Sequence, residues 1–337
     1  MLQLLPMYLQ NFDIFGEIIQ LYMQDKKILI IAPYAFGYTN HMLTALHKKG
    51  HTNAKIVYLD FPSFAYKNSM HKAANFLSKV FSGKNLKKEF VRDRIKNTLA
   101  EAGVQDFIFM IRPDMLDDAL LEQIKKSTRR LVAYYYDSTR RFTRKNEVAH
   151  FFDKVYTYDR LDAENHGYEF LTNYIFKESE DAGYDYQFFN ISTYDYRYPL
   201  LEKLGNYLKE RNYSYLIEIY TPDDITSDSV QIIHKQKSVA EVEGLIKRSK
   251  IIVEIQRTEQ LGLSFRIFEA LGYRKKLITT NKDIVNYDFY NPQNILVIDE
   301  NNIEIPEDFV TSLYIEPDKT VLDKYRIDNW VERVFEL

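Results

Sequence analysis

Arg266 and Glu269 are the residues whose types and spacing most directly suggest chemistry. Residues three apart share a helical face, so the guanidinium can bind a diphosphate while the carboxylate accepts hydrogen bonds from ribose hydroxyls. Gly262 before them permits a tight turn, and Ser264 can cap a helix over residues 265–271. Free N–H groups at that helix start favour a phosphate. The spacing therefore predicts a phosphate and ribose pocket.

The segments around this pair have the pattern of a sheet edge. The apolar run Ile251–Ile255 predicts a strand before the turn, and residues 276–280 predict the next strand. Thr279, Thr280 and Asn281 would then lie at its carboxyl end, where ligands bind in open α/β sheets. The alternative for the pair alone is a surface helical ion pair, which contributes only ~0.3–0.5 kcal/mol and is common.

Asp137 and His41 are the candidate general bases. Asp137 directly follows the predicted strand 131–136, which places it at the carboxyl edge of its sheet. Its alternative role is a helix N-cap or a turn residue. His41 begins the helix after the predicted strand 27–33, close to the same edge, and an unperturbed imidazole pKa of ~6.5 suits proton transfer. A packing or surface histidine is the alternative there.

Strand and helix patterns alternate along the chain in two series. Near-continuous apolar runs with helical periodicity between them are typical of parallel strands in βαβ units, and predict a doubly wound domain over residues 26–176. The polar stretch 177–186 predicts a linker, and the second series predicts another domain over 187–315. The predicted strands are residues 27–33, 56–59, 107–111, 131–136, 155–158, 187–191, 215–219, 231–234, 251–255 and 276–280.

The two ends of the chain do not follow this rhythm. Residues 316–337 predict a helical tail. Residues 1–25 could form an amphipathic helix that docks on the protein. Met23 stands just before the first strand and could instead be the native start, which would make the leader a misassigned extension.

Composition limits the class of protein. A chain of 337 residues with 45% hydrophobic residues can bury the cores of two domains. No apolar run approaches the ~20 residues that cross a bilayer, and a signal-peptide pattern is missing, so a cytoplasmic location is expected. The absence of cysteine excludes disulfides, thiolate nucleophiles and Cys-ligated metal centres. A net charge of -3 gives no overall attraction to nucleic acid, and no nucleic-acid partner is expected.

One stretch of the chain resembles a known family. Gln260, Gly262, Leu263, Ser264, Arg266 and Glu269, followed by KKLITTN and by DFYNPQNILVID at residues 288–299, resemble the donor-binding half of bacterial GT-B glycosyltransferases, especially the CgeB-like and lipopolysaccharide or capsule type. Weaker similarity lies in residues 188–204, 151–167 and 134–137, so most of residues 26–300 is covered.

The resemblance implies a fold and an activity. The fold would be GT-B, with two Rossmann-like domains facing each other across a cleft and the C-terminal tail packing back on the first domain. The activity would be transfer of a sugar from a nucleotide-sugar donor, most simply a UDP-sugar, to a bacterial surface glycan or a lipid-linked acceptor. Neither a cofactor nor an obligatory metal is implied, and the sequence contains no Asp-X-Asp string.

The resemblance also assigns donor-binding residues. Arg266 and Glu269 would bind diphosphate and ribose, and Gln260 would contact the donor sugar or uracil unless it is only a solvated side chain. In the family, the turn after strand 187–191 carries a glycine and approaches the donor phosphates. That glycine is missing here, which leaves a phosphate contact from Ser192 or Thr193 undecided. Arg197 is a further candidate for this contact. The assigned set is Thr193, Arg197, Gln260, Gly262, Leu263, Ser264, Arg266, Glu269 and Asn281.

A basic segment bears on the acceptor. Residues 84–96 hold six basic and two acidic residues, and they follow an apolar stretch with Phe76, Leu77, Val80 and Phe81. Such a pairing can lie against an anionic membrane surface where a lipid-linked acceptor resides. A solvated helix face is the alternative interpretation.

Other functions stay open at this point. A GT-B nucleotide-sugar epimerase would keep the donor pocket and would turn over the nucleotide sugar without an acceptor. A non-catalytic nucleotide-sugar-binding scaffold is also consistent with the missing glycine. A nicotinamide dehydrogenase is disfavoured, because PYAFGYT after the first strand lacks the G-x-G-x-x-G spacing.

Overall fold

The computed structural model describes residues 25–82, 85–179 and 183–337. The predicted extension at residues 1–25 lies outside these ranges except for Asp25. The strands are β1 (Ile28–Ala32), β2 (Lys55–Tyr58), β3 (Gln105–Ile111), β4 (Thr128–Tyr135), β5 (Lys154–Thr157), β6 (Glu169–Phe170), β7 (Tyr186–Thr193), β8 (Tyr215–Tyr220), β9 (Gln231–Ile233), β10 (Ser249–Glu254), β11 (Lys276–Thr279) and β12 (Ile295–Val297).

Helices alternate with these strands over the same ranges. They are α1 (Tyr38–Lys48), α2 (Ser69–Ser82), α3 (Leu86–Ala102), α4 (Asp118–Lys126), α5 (Arg144–Val148), α6 (Arg160–His166), α7 (Tyr198–Glu210), α8 (Val239–Lys247), α9 (Phe265–Gly272), α10 (Glu307–Thr311), α11 (Lys319–Asp323) and α12 (Ile327–Phe335). None of these described helices has the length and hydrophobicity to cross a membrane.

The strands form two six-stranded parallel sheets within the described ranges. Their orders are β2-β1-β3-β4-β5-β6 and β12-β11-β10-β7-β8-β9. The chain reverses its direction of progress across the sheet between β1 and β3, and again between β7 and β10. Such switch points leave a crevice at the carboxyl ends of the strands. The predicted α/β architecture with two doubly wound sheets is confirmed.

Burial explains why the strands read as continuous apolar runs. All five residues of β1, ILIIA, are buried. Ile28 and Ile30 belong to the core layer on one face of the sheet, and Leu29 and Ile31 belong to the layer on the other face. Covered on both faces, a parallel strand shows no polar alternation.

The chain passes between the two sheets twice. We call the part built on the first sheet the N-half and the part built on the second sheet the C-half. Ile175 leaves the N-half, and the chain returns at Tyr325–Ile327. The two passages are hydrogen-bonded, because the Ile175 N–H donates to the Tyr325 carbonyl at 2.7 Å and the Ile327 N–H donates to the Ile175 carbonyl at 2.9 Å. Trp330 of α12 then packs in the core of the N-half.

Some elements differ from the prediction for local reasons. Helix α1 begins at Tyr38, before the predicted start at His41, because Gly37 adopts a left-handed φ of 84° that separates the preceding 3-10 turn from the helix. Strands β6 and β12 have only two and three residues, too few for a periodic pattern.

Candidate functional site

A cavity of about 460 Å³ lies at the switch point of the C-half sheet. Residues at the ends of β7 and β10 line it, together with the first turn of α9 and residues of the N-half around α1. This size is in the usual range for small-molecule sites. Among the residues that the argument uses, its lining contains Tyr38, His41, Ser192, Thr193, Arg197, Glu254, Ser264, Arg266 and Glu269.

Arg266 and Glu269 face each other in this cavity. Arg266 Nη1 donates to Glu269 Oε2 at 2.6 Å, and the hydroxyl of Tyr38 from the N-half donates to Glu269 Oε1 at 3.0 Å. Burial raises the pKa of Glu269, and the Arg266 guanidinium opposes that effect. The carboxylate is therefore fixed in place by both halves. The surface ion pair considered from the sequence is ruled out, because the Glu269 side chain is only 7% exposed.

Glu254 is a buried carboxylate that the sequence did not identify as functional. It ends β10, where Thr279 Oγ1 donates to its Oε2 at 2.7 Å and Ser264 Oγ donates to its Oε1 at 3.1 Å. Burial raises its pKa, and Arg197 and Arg266 act in the opposite direction. The available signal was a single charged residue inside the apolar run IIVEI.

Replacing Glu254 with glutamine is expected to stabilise the protein at alkaline pH. The pKa of this carboxyl is higher in the folded protein than in the unfolded chain, so its protonated form favours folding at low pH. That contribution to the free energy of unfolding is lost as the pH rises through the pKa of the folded protein. The neutral amide avoids that loss, so the variant should have a higher Tm than the wild type at pH 8. The gain should shrink towards pH 5. Thermal melts at both pH values test this, and a variant less stable at pH 8 contradicts it.

Ser264 stands at the N-cap position of α9 but does not cap the helix through its side chain. Its hydroxyl donates to Glu254 instead. The prediction of a side-chain cap was therefore wrong: the hydroxyl instead donates a charge-assisted hydrogen bond to the buried Glu254 carboxylate.

Arg197 also lines the cavity and is held rigidly. Its Nη1 donates to the Ile255 carbonyl at 2.7 Å, and its Nε and Nη2 donate to the two carboxylate oxygens of Asp195 at 3.0 and 2.9 Å. Ser192 and Thr193 lie beside it in the lining, and the Ser192 hydroxyl donates to Asn190 Oδ1. The end of β7 and the segment that follows it thus reach the cavity without a glycine.

Four of the assigned donor residues do not line this cavity: Gln260, Gly262, Leu263 and Asn281. Gln260 Nε2 donates to Asp137 Oδ1 at 2.9 Å, and the Leu263 carbonyl accepts from Asn173 Nδ2 at 2.9 Å. Both bonds join the C-half to the N-half. Asn281 instead joins the end of β11 to the loop before α9, since its Nδ2 donates to the Leu261 carbonyl at 3.0 Å.

Gly262 is the fourth, and its role differs from the predicted one. Its φ is outside the left-handed region, so the turn does not require glycine for its backbone conformation. The requirement is space: a Cβ at this position would lie 2.5 Å from the ring of Tyr158, a buried residue of the N-half. The loop from Gln260 to Leu263 therefore belongs to the contact between the halves.

The structure separates the two candidate bases. His41 lies in the cavity, and its ring stacks on Phe176 at 4.4 Å between centroids. Burial, aided by the nearby Lys177 ammonium, lowers the pKa of His41, so the imidazole is neutral near pH 7. Asp137 lies in a second cavity of about 440 Å³ at the carboxyl edge of the N-half sheet. Phe36 and Tyr38 line both cavities.

Asp137 is embedded in a network of positive charge. Arg141 Nη1 donates to its Oδ1 at 2.8 Å, and Lys145 Nζ donates to its backbone carbonyl at 2.5 Å. Lys145 is fully buried, and burial lowers its pKa to about 8. Arg112, in the same cavity, has a left-handed φ of 62° and forms a bidentate pair with Asp114. The second cavity thus offers guanidinium groups to a polar or anionic ligand.

Across residues 25–82, 85–179 and 183–337, no three His, Asp or Glu side chains are grouped so that they could hold a metal ion. The expectation that no metal is required stays a prediction.

Comparisons with known proteins give the fold. The sequence matches no protein-family model, and no curated protein matches it significantly. Solved structures match along nearly the whole chain. An alpha-glucosyltransferase in complex with UDP and a 13-mer DNA has a TM-score of 0.54 at 12% identity, covering 91% of this chain and 95% of that one. A UDP-forming alpha,alpha-trehalose-phosphate synthase from Burkholderia xenovorans, in complex with glucose-6-phosphate, has a TM-score of 0.55 at 8% identity, covering 92% and 99%.

The fold is GT-B. A UDP-N-acetylglucosamine 2-epimerase from Rickettsia bellii is also similar, with a TM-score of 0.50 at 12% identity, covering 92% of this chain and 95% of that one. GT-B proteins of different activity thus share this architecture. Because one similar structure holds DNA, the expected absence of a nucleic-acid partner is unsupported by the comparisons and stays a prediction.

Proposed function

We propose that this protein is a GT-B glycosyltransferase that uses a UDP-linked sugar donor. The observation that carries the proposal is the pairing of Arg266 with Glu269 inside a cavity at the switch point of the C-half sheet. A guanidinium and a carboxylate at this place match a diphosphate and a ribose. UDP in the similar glucosyltransferase structure supports the choice of nucleotide.

The diphosphate would lie against the first turn of α9, close to Arg266 and Arg197, which line the cavity and both lower the pKa of Glu254. As the bond between the sugar and the phosphate breaks, negative charge grows on the leaving diphosphate. Fixed guanidinium groups and the helix N-terminus stabilise that charge without having to reorganise. In this proposal the leaving group needs no metal ion and the reaction needs no cofactor.

The acceptor would enter through the second cavity, whose Phe36 and Tyr38 are shared with the donor cavity. Of the two candidate bases, His41 is neutral near pH 7 and lies on the donor side. Asp137 lies on the acceptor side, with its Oδ1 bonded by Arg141 and Gln260. The acceptor hydroxyl would give its proton to one of these groups.

The acceptor class follows the family resemblance. We propose a bacterial surface glycan of the lipopolysaccharide or capsule kind, or its lipid-linked precursor, glycosylated at the cytoplasmic face of the membrane by a hexosyltransferase reaction. The guanidinium groups of Arg112 and Arg141 in the second cavity suit the phosphates or carboxylates of such acceptors.

A second candidate is epimerisation of a nucleotide sugar. It is favoured by His41 and Glu243, titratable groups that line the donor cavity itself. An epimerase would convert the nucleotide sugar when no acceptor is present.

Calorimetry with UDP, GDP, CMP and TDP, first without metal and then with magnesium, tests the proposal. We expect UDP to bind without metal. Incubation of UDP-sugars without acceptor, followed by sugar analysis, separates the two activities, because a changed sugar configuration identifies the epimerase. If none of the four nucleotides binds, the proposal is refuted.

Replacing Arg266 with methionine is expected to weaken UDP binding about tenfold or more, because a charge-assisted contact to the diphosphate is lost. The matched control is Arg274→Met, which removes the same charge just after α9, where Arg274 pairs with Glu316. That control should leave the calorimetric Kd unchanged. Equal losses in both variants would show that only the overall charge matters and would count against the assigned phosphate contact.

A further inference from the structure

Helix α2 has its apolar residues on the outside. Its large apolar side chains are 53–83% exposed, and they are Met70, Phe76, Leu77, Val80 and Phe81. The side that faces the protein is polar: Asn75 is buried, its Nδ2 donates to the Tyr66 hydroxyl at 2.8 Å, and its Oδ1 accepts from the Leu86 N–H at 2.9 Å. A helix on the surface of a soluble protein normally has the opposite arrangement.

The exposed residues form one continuous surface. At 100° per residue, these five side chains together with Ala73 and Ala74 cover an arc of about 160°, and Asn75 lies on the opposite side. Contiguous apolar patches of this kind mark sites that contact a membrane or another molecule. The arc therefore requires an occupant.

The charges around the arc indicate what kind of surface it contacts. Helix α2 contains no aspartate or glutamate, and Lys72 and Lys79 lie along one border of the arc. Lys87 and Lys88 at the start of α3 are exposed nearby. Lysines at such a border can extend their ammonium groups to anionic lipid headgroups while their alkyl chains stay with the apolar surface.

A second copy of the chain fits this surface less well. A symmetric contact would place α2 against α2 and would bring the Lys72 and Lys79 rows of both copies together. Because α2 has no carboxylate, the helix itself offers no group to pair with them.

A neighbouring groove shares the apolar and basic residue types. A cavity of about 690 Å³ near α2 is lined by Phe64, Phe90 and Leu116 together with Lys87 and Lys88, and also by three aspartates, Asp60, Asp114 and Asp117. The Phe64 ring contacts both His71 of α2, at 6.0 Å between centroids, and Phe90, at 5.6 Å. The apolar surface thus continues from α2 into the groove.

We propose that α2 docks this protein on the surface of an anionic bilayer, with its exposed apolar arc inserted at the boundary between headgroups and acyl chains. This goes beyond the proposed sugar transfer and does not depend on it, because lipid binding is measured without donor or acceptor.

Flotation of the full chain with phosphatidylcholine vesicles, with and without phosphatidylglycerol, tests the proposal. We expect binding that requires phosphatidylglycerol and decreases at high salt. The double substitution Phe76→Ser and Phe81→Ser should reduce the bound fraction about tenfold or more, because it removes two inserted rings. Both side chains are exposed, so the fold and UDP binding should be unchanged. The matched control is Leu313→Ser, an equally exposed apolar residue of the C-half that should have no effect.

A spectroscopic test uses a tryptophan introduced into the arc by Leu77→Trp, whose fluorescence should be quenched by brominated lipids in anionic vesicles. The single natural tryptophan, Trp330, is buried in the core, so the fluorescence of the wild type should not be quenched. Absence of flotation with anionic vesicles overturns the proposal. So does a wild-type dimer that the double substitution converts to a monomer, since that assigns the arc to a second copy.

Discussion

UDP should bind the Glu269→Ala variant about a hundredfold more weakly than the wild type. Hydrogen bonds to a charged group contribute ~1.5–3 kcal/mol each, and two ribose hydroxyls would lose such a partner, so a loss of about 3 kcal/mol is expected. The substitution also removes the partner of Arg266 and of the Tyr38 hydroxyl. Calorimetric titration with UDP measures the effect, and a melt of the variant shows whether the fold is retained.

The control for this variant is Glu147→Ala, which removes a carboxylate from another arginine–glutamate pair at the same spacing, Arg144–Glu147, on an exposed surface. Its Kd for UDP should equal the wild-type value. If Glu269→Ala binds UDP as tightly as this control, Glu269 does not contact the ribose.

The pH dependence provides an independent check on Glu269. Its pKa is raised by burial, and only the ionised carboxylate accepts hydrogen bonds from both hydroxyls. Acidification should therefore weaken UDP binding of the wild type already above the ordinary glutamate pKa, as the group becomes protonated. The Glu269→Ala variant should lack this component. An identical pH profile for the two proteins would contradict the assignment.

Gly262→Ala should reduce turnover about a hundredfold or more while changing the Kd for UDP less than about threefold. The new Cβ would lie 2.5 Å from the Tyr158 ring, so the loop from Gln260 to Leu263 must move away from the N-half. A displacement of about 1 Å between reacting groups costs about a hundredfold in rate. UDP contacts mainly the C-half in the proposed site and should be little affected. Steady-state kinetics and calorimetry separate the two effects.

Gly244→Ala is the matched control, because a Cβ at position 244, inside α8, meets no atom within 4 Å. It should be fully active and slightly more stable, since alanine favours a helix over glycine by ~0.5–1 kcal/mol. The chain has no cysteine, so one introduced cysteine in each half allows a spin-label distance to be measured. An unchanged distance and unchanged turnover in Gly262→Ala would show that the loop adapts without separating the halves.

The sequence predicted those features that depend on residues close together in the chain. Continuous apolar runs predicted the principal strands because both faces of each sheet are covered. The spacing of Arg266 and Glu269 identified one helical face, and the structure places both side chains in one cavity. Residues adjacent in sequence can be related in this way without knowledge of the fold.

What the sequence could not predict depends on how distant segments meet. Gln260 and Leu263 were assigned to the donor from the family resemblance, whereas they bond to Asp137 and Asn173 of the N-half. Glu254 was read as part of a strand, since burial of a carboxylate becomes apparent only when Thr279 and Ser264 are brought to it. Contacts of this type follow from the placement of two sheets, which local patterns do not encode.

The paired passages between the halves restrict how the molecule can move. Ile175 is bonded to both Tyr325 and Ile327, and Arg326 forms a bidentate ion pair with Glu178 across the same two segments. A twist of one half against the other would break these bonds, whereas bending about a line through both passages preserves them. The joint therefore resists a twist of one half against the other more than it resists bending about that line. A protease cut in either segment alone should leave the two halves attached.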